Sequence, residues 1–486
     1  MTESHLYATI LAGGSGQRFW PLSRELNPKQ LLSMFGTESL IAAAVHRILP
    51  FAEGGSSIVV ATNERLFDEL RNHLTAQPDT QLHAVRYIQE PVPRNTAPAI
   101  ALAAATFVAE DPDAIMVVLP SDHLLEDGEV WSDCIRAASR VAADGYLVTI
   151  GITPTRAEVG YGYIRAAEAL PEFAVGSVTP HVVAEFVEKP DAERAEQFVS
   201  SGDYYWNAGI FVMRAAAVLE ELDRAGGEEA RIADVARWIA AQSPADQRGE
   251  EARERFSALA ALSIDVAVME RSQRVAVIPA RLKWSDVGSL LALADVSPAD
   301  ENGNVRVGRG VDIDSTGTIV YSTDRLVATL GVEDMVVVDT ADATLVLPKS
   351  RAQDVRQIVD ALKLIGAPEV SQPKVSLRPW GSWQSLLSGP GYQIKLLEIK
   401  PGCKPSLQRH NHRSEHWIVV AGTAMVTRDS DVIEVPLNES VFIPLGAVHR
   451  IENRGDEMLQ VIEVQVGGYL GEDDIVRLED DWARDV

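Results

Sequence analysis

The sequence predicts an α/β unit followed by two β-rich units, and three changes of pattern along the chain carry that prediction. Residues 6–290 alternate short apolar runs with longer amphipathic stretches, which is typical of α/β folds. From Glu301 to about Lys349, short runs rich in Val, Thr and Ile are separated by turn signals. Residues 373–486 alternate apolar and polar residues over short runs, which favours an antiparallel barrel or double sheet.

The first unit is expected to span residues 1–295, and its elements follow from apolar runs and a capping residue. Asn95 is a candidate N-cap for an Ala-rich helix that begins near Thr96 and ends near Val108. Buried strands are predicted at five apolar runs, namely Leu6–Leu11, Ser57–Ala61, Ile115–Leu119, Tyr146–Ile150 and Ala208–Met213.

The second and third units are expected to span residues 296–370 and 371–486. The second is predicted to be a small set of helical β coils that ends in a helix over residues 350–365. Gly366, Pro368 and Pro373 then indicate a linker. Strands of the third unit are predicted at Gln393–Ile399, Trp417–Val420, Val432–Val435 and Leu459–Val464.

The charge balance limits the partners that the protein is expected to have. The chain carries 44 Lys and Arg against 70 Asp and Glu, a formal net charge of −26. Because phosphate backbones and anionic membranes are bound by basic patches, neither a nucleic acid nor a membrane is an expected partner. Anionic substrates would have to meet locally basic pockets.

The cysteines and the N-terminus bear on the compartment. Cys134 and Cys403 fall in different predicted units and have no metal-ligand spacing, so a reducing compartment is expected. Residues Met1–His5 lack a basic region followed by a hydrophobic segment, and no run of about 18 apolar residues occurs. A soluble cytoplasmic protein is the expectation.

The glycine-rich loop after the first strand is the strongest local signal. Gly13, Gly14 and Gly16 allow a close approach of backbone N–H groups to phosphates, while Arg18 and Lys29 neutralise charge. Neither the P-loop spacing nor the dinucleotide fingerprint is present. The pattern predicts a triphosphate cradle, with a simple tight turn between strand and helix as the alternative.

Two carboxylates follow strand-like runs of the first unit. Asp122 ends the run that begins at Ile115, and Asp286 lies in the segment 284–288. Carboxylates at strand ends suit Mg²⁺, a hard ion that prefers oxygen ligands. Nucleotidyl transfer needs such an ion because both reacting groups are anionic. For each carboxylate alone, a helix cap or a turn is the alternative.

The segments 11–23 and 27–31 resemble the signature of sugar-nucleotide pyrophosphorylases, and in particular of the mannose-1-phosphate guanylyltransferase branch. The segments 94–98, 160–162, 186–190 and 206–210 are also similar to motifs of that family. The resemblance implies a Rossmann-like nucleotidyltransferase domain with a GT-A-like mixed sheet. It implies that Lys189 holds the sugar phosphate, that Glu188 holds sugar hydroxyls, and that Gly162 and Asn207 contact the sugar.

For the pair Glu188 and Lys189, a surface ion pair is the alternative. Asn95 is implied to lie near the base or ribose, although an N-cap explains it equally well. The implied reaction joins mannose 1-phosphate to GTP, giving GDP-mannose and pyrophosphate. Arg18 and Lys29 would stabilise the leaving pyrophosphate, and Mg²⁺ would bridge the α-phosphate. The preference for guanine rests on the resemblance alone.

The third unit carries a spaced set of metal-ligand residues. The set is Gln408, His410, Glu415 and His449, and its spacing resembles the two cupin motifs, with Gln408 where cupins usually have a first His. Three neutral ligands and one carboxylate leave residual positive charge on a divalent ion, which favours Zn²⁺, with Co²⁺ or Mn²⁺ as alternatives. Ordinary barrel histidines are the competing explanation. The acidic stretch 471–475 is expected to be a solvated face.

The segments 378–381, 412–417 and 462–465 resemble the type II phosphomannose isomerase family. That resemblance implies conversion of mannose 6-phosphate to fructose 6-phosphate through an enediol. Arg413 is the candidate for substrate phosphate or enediolate charge, and Glu463 or His412 for proton transfer.

Over nearly its whole length the chain is thus similar to bifunctional guanylyltransferase/isomerases of the type II kind. A phosphomannomutase must act between the two activities, so they are not consecutive. Two alternatives stay open: a guanylyltransferase with a structural or metabolite-sensing cupin domain, and a silent nucleotide-sugar-binding protein. The middle unit is a candidate subunit contact for a homo-oligomer.

Overall fold

The protein is described by a computed structural model that covers residues 6–14, 16–34, 36, 38–126, 128–371 and 373–479. Ser15 of the glycine loop and residues 1–5, to which predictions above refer, lie outside the described residues. Within the described ranges, no helix has the length and apolar character needed to cross a membrane.

The first unit has eleven strands and nine helices in the part of the chain described. The strands are β1 (Leu6–Leu11), β2 (Ile58–Asn63), β3 (Arg86–Glu90), β4 (Ile115–Pro120), β5 (Leu124–Leu125), β6 (Leu147–Ile152), β7 (Tyr163–Ala169), β8 (His181–Val187), β9 (Tyr204–Arg214), β10 (Val275–Ala280) and β11 (Trp284–Ser285). The helices are α1 (Leu40–Ile48), α2 (Glu64–Thr75), α3 (Thr96–Glu110), α4 (Glu129–Ala143), α5 (Ala192–Ser201), α6 (Ala215–Ala225), α7 (Gly227–Ala240), α8 (Glu250–Ser257) and α9 (Leu293–Val296).

Nine of these strands form one mixed sheet in the order β3-β2-β1-β4-β9-β6-β10-β8-β7. Strands β1 to β4 pair in parallel, whereas β9 runs antiparallel to β4 and to β6. The short strands β5 and β11 pair beside the sheet. One apolar core on each face of the sheet buries the strands on both sides, so the central strands are almost wholly apolar. Candidate site residues follow the ends of these strands.

The second unit is a small β coil closed by a helix. Its strands are β12 (Val305–Val307), β13 (Gly310–Ile313), β14 (Ile319–Ser322), β15 (Val327–Leu330), β16 (Met335–Asp339) and β17 (Thr344–Pro348), followed by α10 (Val355–Leu364). Strands β12, β14 and β16 are parallel neighbours, and β13 pairs in parallel with β15, so successive coils stack. This agrees with the β-helix-like expectation.

The third unit consists of two antiparallel sheets. Its strands are β18 (Val375–Arg378), β19 (Gly381–Gly389), β20 (Tyr392–Ile399), β21 (Leu407–His410), β22 (Arg413–Ala421), β23 (Ala424–Arg428), β24 (Asp431–Val435), β25 (Ser440–Ile443), β26 (His449–Asn453), β27 (Leu459–Gly467) and β28 (Ile475–Glu479). The sheet orders are β18-β19-β20-β27-β22-β25 and β24-β23-β26-β21-β28. The alternating strands turn one side chain in two toward the space between the sheets. The fold class is therefore as predicted.

The first unit is tied directly to the other two. Phe19, Trp20 and Leu22, which follow the glycine loop, belong to the apolar core of the second unit. The segment expected to be a linker is paired as well, because the backbone N–H of Glu25 donates to the carbonyl of Val370. The segment that follows the glycine loop is thus packed against the second unit.

Candidate active sites

The glycine loop is fixed by side-chain donors that bind its carbonyl groups. Gln30 Nε2 donates to the carbonyl oxygens of Ala12 and Gly14, each at 3.1 Å. Gly16 has φ +61°, and a Cβ added there would lie 2.5 Å from Cβ of Lys29. Both the left-handed backbone and the contact therefore require glycine. Gly16 therefore packs directly against Lys29, which places the lysine beside the loop.

Lys29 joins the two carboxylate segments that the sequence predicts. Its buried Nζ lies 2.7 Å from Asp122 Oδ2 and donates to the carbonyls of Asp286 at 2.9 Å and Val287 at 2.8 Å. Burial opposes ionisation of Asp122, but Lys29 and His123 hold the pKa of that carboxyl below its usual range. All three ammonium hydrogens thus have acceptors.

Asp286 is oriented by a second set of contacts. Tyr161 donates its hydroxyl to Asp286 Oδ1 at 2.7 Å, and the backbone N–H of Gly288 donates to the same oxygen at 3.0 Å. Trp284 Nε1 lies 3.3 Å from Nδ1 of His123, whose pKa burial lowers to about 4. Lys29 Nζ thus contacts the carboxylate of Asp122 and the backbone carbonyl of Asp286, while Tyr161 and Gly288 hold the Asp286 carboxylate. Carboxylate oxygens are the ligands that Mg²⁺ prefers.

Arg18 lies apart from this cluster. Its exposed side chain donates from Nη1 to Oε1 of Gln353, a residue of the second unit, at 2.8 Å. The position at the end of the glycine loop leaves it accessible to a ligand, as the predicted phosphate contact requires.

A cavity of about 460 Å³ lies beside the loop and is lined in part by Gly13, Gly14, Arg94, Asn95 and Asp122. Asn95 caps α3 as predicted, since its Oδ1 accepts from the N–H of Thr96 at 2.9 Å. The predicted phosphate loop, one metal carboxylate and the base-side residue therefore share one space.

Glu90 at the end of β3 was missed by the sequence analysis. It is 5% exposed, lines the 460 Å³ cavity and lies 3.7 Å from the position that a Cβ on Gly13 would take. Burial raises its pKa to about 7. Its position as the last residue of β3 was the available signal, but that strand was not among those predicted.

Asn207 is held by hydrogen bonds on both sides of its amide. Thr149 Oγ1 donates to Asn207 Oδ1 at 2.9 Å, and Asn207 Nδ2 donates to Asp265 Oδ1 at 2.9 Å. Burial and the neighbouring Glu188 raise the pKa of Asp265 to about 6. Asp265 also lines the 460 Å³ cavity and was likewise missed, because nothing in its local spacing marks it.

Gly162, Glu188 and Lys189 lie next to Asn207. A Cβ on Gly162 would come 2.6 Å from Glu188 Oε2 and 3.3 Å from Cβ of Asn207. Lys189 Nζ lies 2.5 Å from Glu188 Oε1, and the lysine side chain is exposed. The four residues implied in sugar binding are therefore neighbours, although the ion pair of the alternative interpretation is also present.

The third unit brings His410, Glu415 and His449 together in its interior. Their candidate ligand atoms all lie within 4.8 Å of one another. His410 Nε2 is 3.1 Å and His449 Nε2 is 3.6 Å from oxygens of Glu415. Within the described residues, His410 Nδ1 and His449 Nε2 are buried without a hydrogen-bond partner. The unpartnered Nε2 of His449, close to the Glu415 carboxylate, fits a divalent metal ion.

A cavity of the third unit is lined in part by Gln408, Glu415 and His449. Gln408 on β21 is also the register partner of His449 on β26. Its Oε1 accepts from Ser406 Oγ at 3.0 Å. Gln408, Glu415 and His449 therefore line one cavity, and His410 lies against Glu415.

Arg413 and Glu463 border the metal-ligand cluster. Arg413 is fully buried and donates from Nε to Glu415 Oε1 at 3.1 Å and from Nη1 to the carbonyl of Gly471 at 3.0 Å. Trp417 Nε1 donates to both Glu415 and Glu463, at 3.1 and 3.0 Å. Burial and the charge on Glu415 raise the pKa of Glu463 to about 8. Arg413 is thus engaged in holding Glu415.

The acidic stretch 471–475 is not the solvated face that the sequence analysis expected. Asp474 is buried and accepts from the backbone N–H groups of Asn411 and His412, and its Oδ1 lies 2.7 Å from His412 Nδ1. The prediction was wrong because short loops of charged residues can fold onto a barrel rim, where backbone donors need acceptors.

The glycine loop, the two carboxylate segments and the adjoining cavity on a mixed α/β sheet define a nucleotidyltransferase-type enzyme domain, and the third unit is a cupin-like domain with a cluster of candidate metal ligands. Residues 7–303 match the family model for nucleotidyl transferases. Residues 308–362 match the mannose-phosphate isomerase/GMP-like β-helix domain, and residues 366–480 match the C-terminal domain of mannose-6-phosphate isomerase.

The chain belongs to the nucleotidyl transferase family, in the branch that carries these two further domains. It is 42% identical over 485 residues to the xanthan biosynthesis protein XanB of Xanthomonas campestris pv. campestris strain B100, covering 99% of this chain and 100% of that protein. A mannose-1-phosphate guanylyltransferase of Klebsiella pneumoniae is 41% identical with the same coverage.

A solved structure from Thermus thermophilus, described as a mannose-1-phosphate geranyltransferase, superposes with a TM-score of 0.64 at 32% identity. The match covers 74% of this chain and 99% of that one. The family resemblance drawn from the motifs is therefore confirmed.

Proposed function

We propose that the first unit transfers GMP from GTP to mannose 1-phosphate, which yields GDP-mannose and pyrophosphate. The observation that carries the proposal is the Lys29 ammonium, which joins Asp122 and the Asp286 segment at the mouth of the glycine loop. The names of the full-length relatives support the substrate pair.

In this reaction a phosphate oxygen of mannose 1-phosphate attacks the α-phosphorus of GTP. The bond from the α-phosphorus to the bridging oxygen breaks, and pyrophosphate leaves with the electron pair. Arg18 neutralises charge on the β- and γ-phosphates, and Lys29 holds the carboxylate of Asp122 and the backbone of Asp286 in position. Asp122 and Asp286 would hold Mg²⁺, which supplies charge neutralisation at the phosphates.

Glu90 gives the proposed base pocket a guanine preference. A carboxylate can accept two hydrogen bonds from the N1–H and N2–H groups of guanine, and adenine offers no such pair of donors on that edge. Glu90 is buried in the cavity that also contains Asn95 and the glycine loop. We therefore assign Glu90 to base recognition, and Lys189, Glu188, Gly162 and Asn207 to mannose 1-phosphate.

The test is formation of GDP-mannose from GTP and mannose 1-phosphate, followed by chromatography. Asp286→Asn should lower kcat by about 100-fold or more, because an oriented charge at the reacting phosphates is lost. The control variant Asp203→Asn changes an exposed carboxylate of the same unit and should leave the rate unchanged. An unaltered rate in Asp286→Asn would remove that residue from the site.

We further propose that the third unit isomerises mannose 6-phosphate to fructose 6-phosphate. The grouping of His410, Glu415 and His449 carries this proposal, together with the buried His449 Nε2 that has no hydrogen-bond partner among the described residues. In the open-chain aldose, a base removes the C2 proton and the hydroxyl proton passes from O2 to O1. The carbon proton is then returned at C1, so the aldehyde becomes a hydroxymethyl group and C2 a ketone. Glu463, buried at the cavity, is the candidate base, while Arg413 orients Glu415.

Gln408, His410, Glu415 and His449 would hold Zn²⁺, Co²⁺ or Mn²⁺, which polarises the carbonyl oxygen. Chelated protein should lose isomerase activity and regain it with one of these ions. If no ion restores turnover in a preparation that still makes GDP-mannose, the third unit is a structural or sensing domain instead.

Xanthan is a polysaccharide, and the name of the XanB relative supports a role for this chain in supplying GDP-mannose to polysaccharide synthesis. We also infer that the chain divides into three domains with boundaries near residues 295 and 370. Limited proteolysis should cleave near those positions if the segments there are accessible.

A further inference from the structure

The C-terminal cavity contains a buried ammonium group for which the proposed isomerisation has no role. Lys395 on β20 is 4% exposed, and its Nζ lies 4.4 Å from the ring centroid of Trp383. In the strand register it lies opposite Glu463 of β27, and both residues line the cavity. Burial of an ammonium group is costly unless an anion accompanies it.

The accompanying anion is Glu472, on the 3-10 turn Glu472–Asp474. Its Oε1 lies 2.5 Å from Nζ of Lys395. Burial opposes ionisation of Glu472, yet the charges of Lys395, Arg413 and Arg378 keep its pKa below the usual range. One carboxylate is therefore surrounded by three cations at the rim of the cavity.

Glu472 can leave this position without loss of the turn. Its side chain is 40% exposed, so a rotation about its own bonds turns the carboxylate into solvent. The neighbouring Asp474 keeps the turn attached, because its buried carboxylate accepts from the backbone N–H groups of Asn411 and His412. The turn and the exchangeable carboxylate are thus separate parts.

The volume of the cavity points in the same direction. It measures about 90 Å³, whereas the cavity beside the glycine loop measures about 460 Å³. Pockets for small molecules commonly have volumes of about 300–1,000 Å³. A sugar phosphate would fit only after Glu472 has turned outward, and the departing carboxylate would leave a cationic space beside the metal-ligand cluster.

We propose that Lys395 and Arg378 form a phosphate subsite of the C-terminal cavity, and that Glu472 is the resident anion that the phosphate of a hexose phosphate displaces. Phosphate carries more charge and more acceptor oxygens than the carboxylate, so the exchange favours the ligand. The hexose part rests on the proposed isomerase function, whereas the binding of the anion does not.

The experiment is calorimetric titration of inorganic phosphate and of mannose 6-phosphate into metal-free, full-length protein. Lys395→Met keeps the length of the side chain without its charge and should weaken binding of both ligands about tenfold or more. Glu472→Gln removes the competing anion and should tighten both by a similar factor. Arg409→Met, an exposed change on β21, should bind as the unaltered protein does.

Phosphate sites of the first unit contribute equally to every variant, so the differences report the C-terminal cavity. Unfolding temperatures show whether Lys395→Met is misfolded. If it is, the phosphate affinity of Lys395→Gln, which should fall, and that of Glu472→Gln, which should rise, test the subsite instead. Unchanged affinity in Lys395→Met, or weaker binding in Glu472→Gln, overturns the subsite. If the affinities shift as expected but the protein has no isomerase turnover, the phosphate subsite is supported and the isomerase function is contradicted. If the protein turns over but the affinities do not shift, the isomerase function is supported and the subsite is contradicted.

Discussion

The two candidate sites of this chain differ in how they treat buried charge. The cavity beside the glycine loop is large, about 460 Å³, and contains the buried carboxyl of Glu90 with a raised pKa. The C-terminal cavity is small, about 90 Å³, and its central Glu415 has a lowered pKa because His410, His449 and Arg413 surround it. The buried carboxyl of the first cavity would gain hydrogen-bond donors from a ligand, whereas the Glu415 carboxylate of the second is already neutralised by neighbouring protein groups.

The two sites therefore depend on different partners for their charge balance. In the first site, the N–H donors of a nucleotide base and a phosphate chain with its bound cation complete the charge balance. In the second, the resident groups Glu472 and Arg413 maintain it, and in our proposal Glu472 turns outward to admit a substrate. Changes at the two sites should therefore have separable effects, which three predictions address in order of size.

The largest effect is expected for His410→Ala, which removes one of the grouped nitrogen donors. Metal content per chain, measured after dialysis against Zn²⁺, should fall from near one to near zero, and isomerase turnover should be lost. Guanylyl transfer should be retained, since the first site shares none of these residues. Equal loss of both activities would contradict the independence of the two sites.

The sequence predicted the parts of these sites that lie in compact motifs. Gly16 and Lys29 are 13 residues apart, and the structure packs them against each other. His410 and Glu415 were likewise found from their spacing, because they lie on the successive strands β21 and β22 with one short turn between them. The fold class followed from the change of hydrophobic period along the chain.

The residues that were missed depend on contacts between distant segments. Lys395 and Glu472 are 77 positions apart, and neither position carries a motif. Arg18 meets Gln353 across 335 positions, and Glu90 gains its raised pKa from burial that no local pattern reveals. Charge environments of this kind arise from tertiary packing, so a single sequence leaves them undetermined.

An intermediate effect is expected for Glu90→Gln, and it has a pH signature. Because the folded-state pKa of Glu90, about 7, lies above its ordinary value, the folded state binds the proton more tightly. The free energy of unfolding of the unliganded protein should therefore fall as pH rises from about 4.5 to 7, by on the order of 3 kcal/mol at most. Glu90→Gln should remove that dependence, as urea unfolding at several pH values would measure.

Binding of GTP should respond to pH with the opposite sign. The ionised carboxylate accepts from guanine, so the KM for GTP should fall as pH rises through about 7. Glu90→Gln should raise the KM for GTP about tenfold and reduce the preference for GTP over ATP. Glu110→Gln, an exposed change on α3, serves as the control. An undiminished preference for GTP in Glu90→Gln would place base recognition elsewhere.

The smallest effect is expected at a contact that links the two regions. It is the ion pair between Glu69 on α2 and Arg378 of the C-terminal cavity. The two side chains are 25% and 18% exposed and lie 3.1 Å apart. Glu69→Gln should lower the free energy of unfolding by about 1 kcal/mol, the range for a partly exposed pair. Because Arg378 would then have one carboxylate fewer beside it, phosphate should bind the C-terminal cavity about two- to threefold more tightly. Calorimetry alongside urea unfolding measures both quantities, with Glu64→Gln on the same helix as a matched surface control. Weaker phosphate binding in Glu69→Gln would mean that the first unit holds Arg378 in its binding position instead of competing for it.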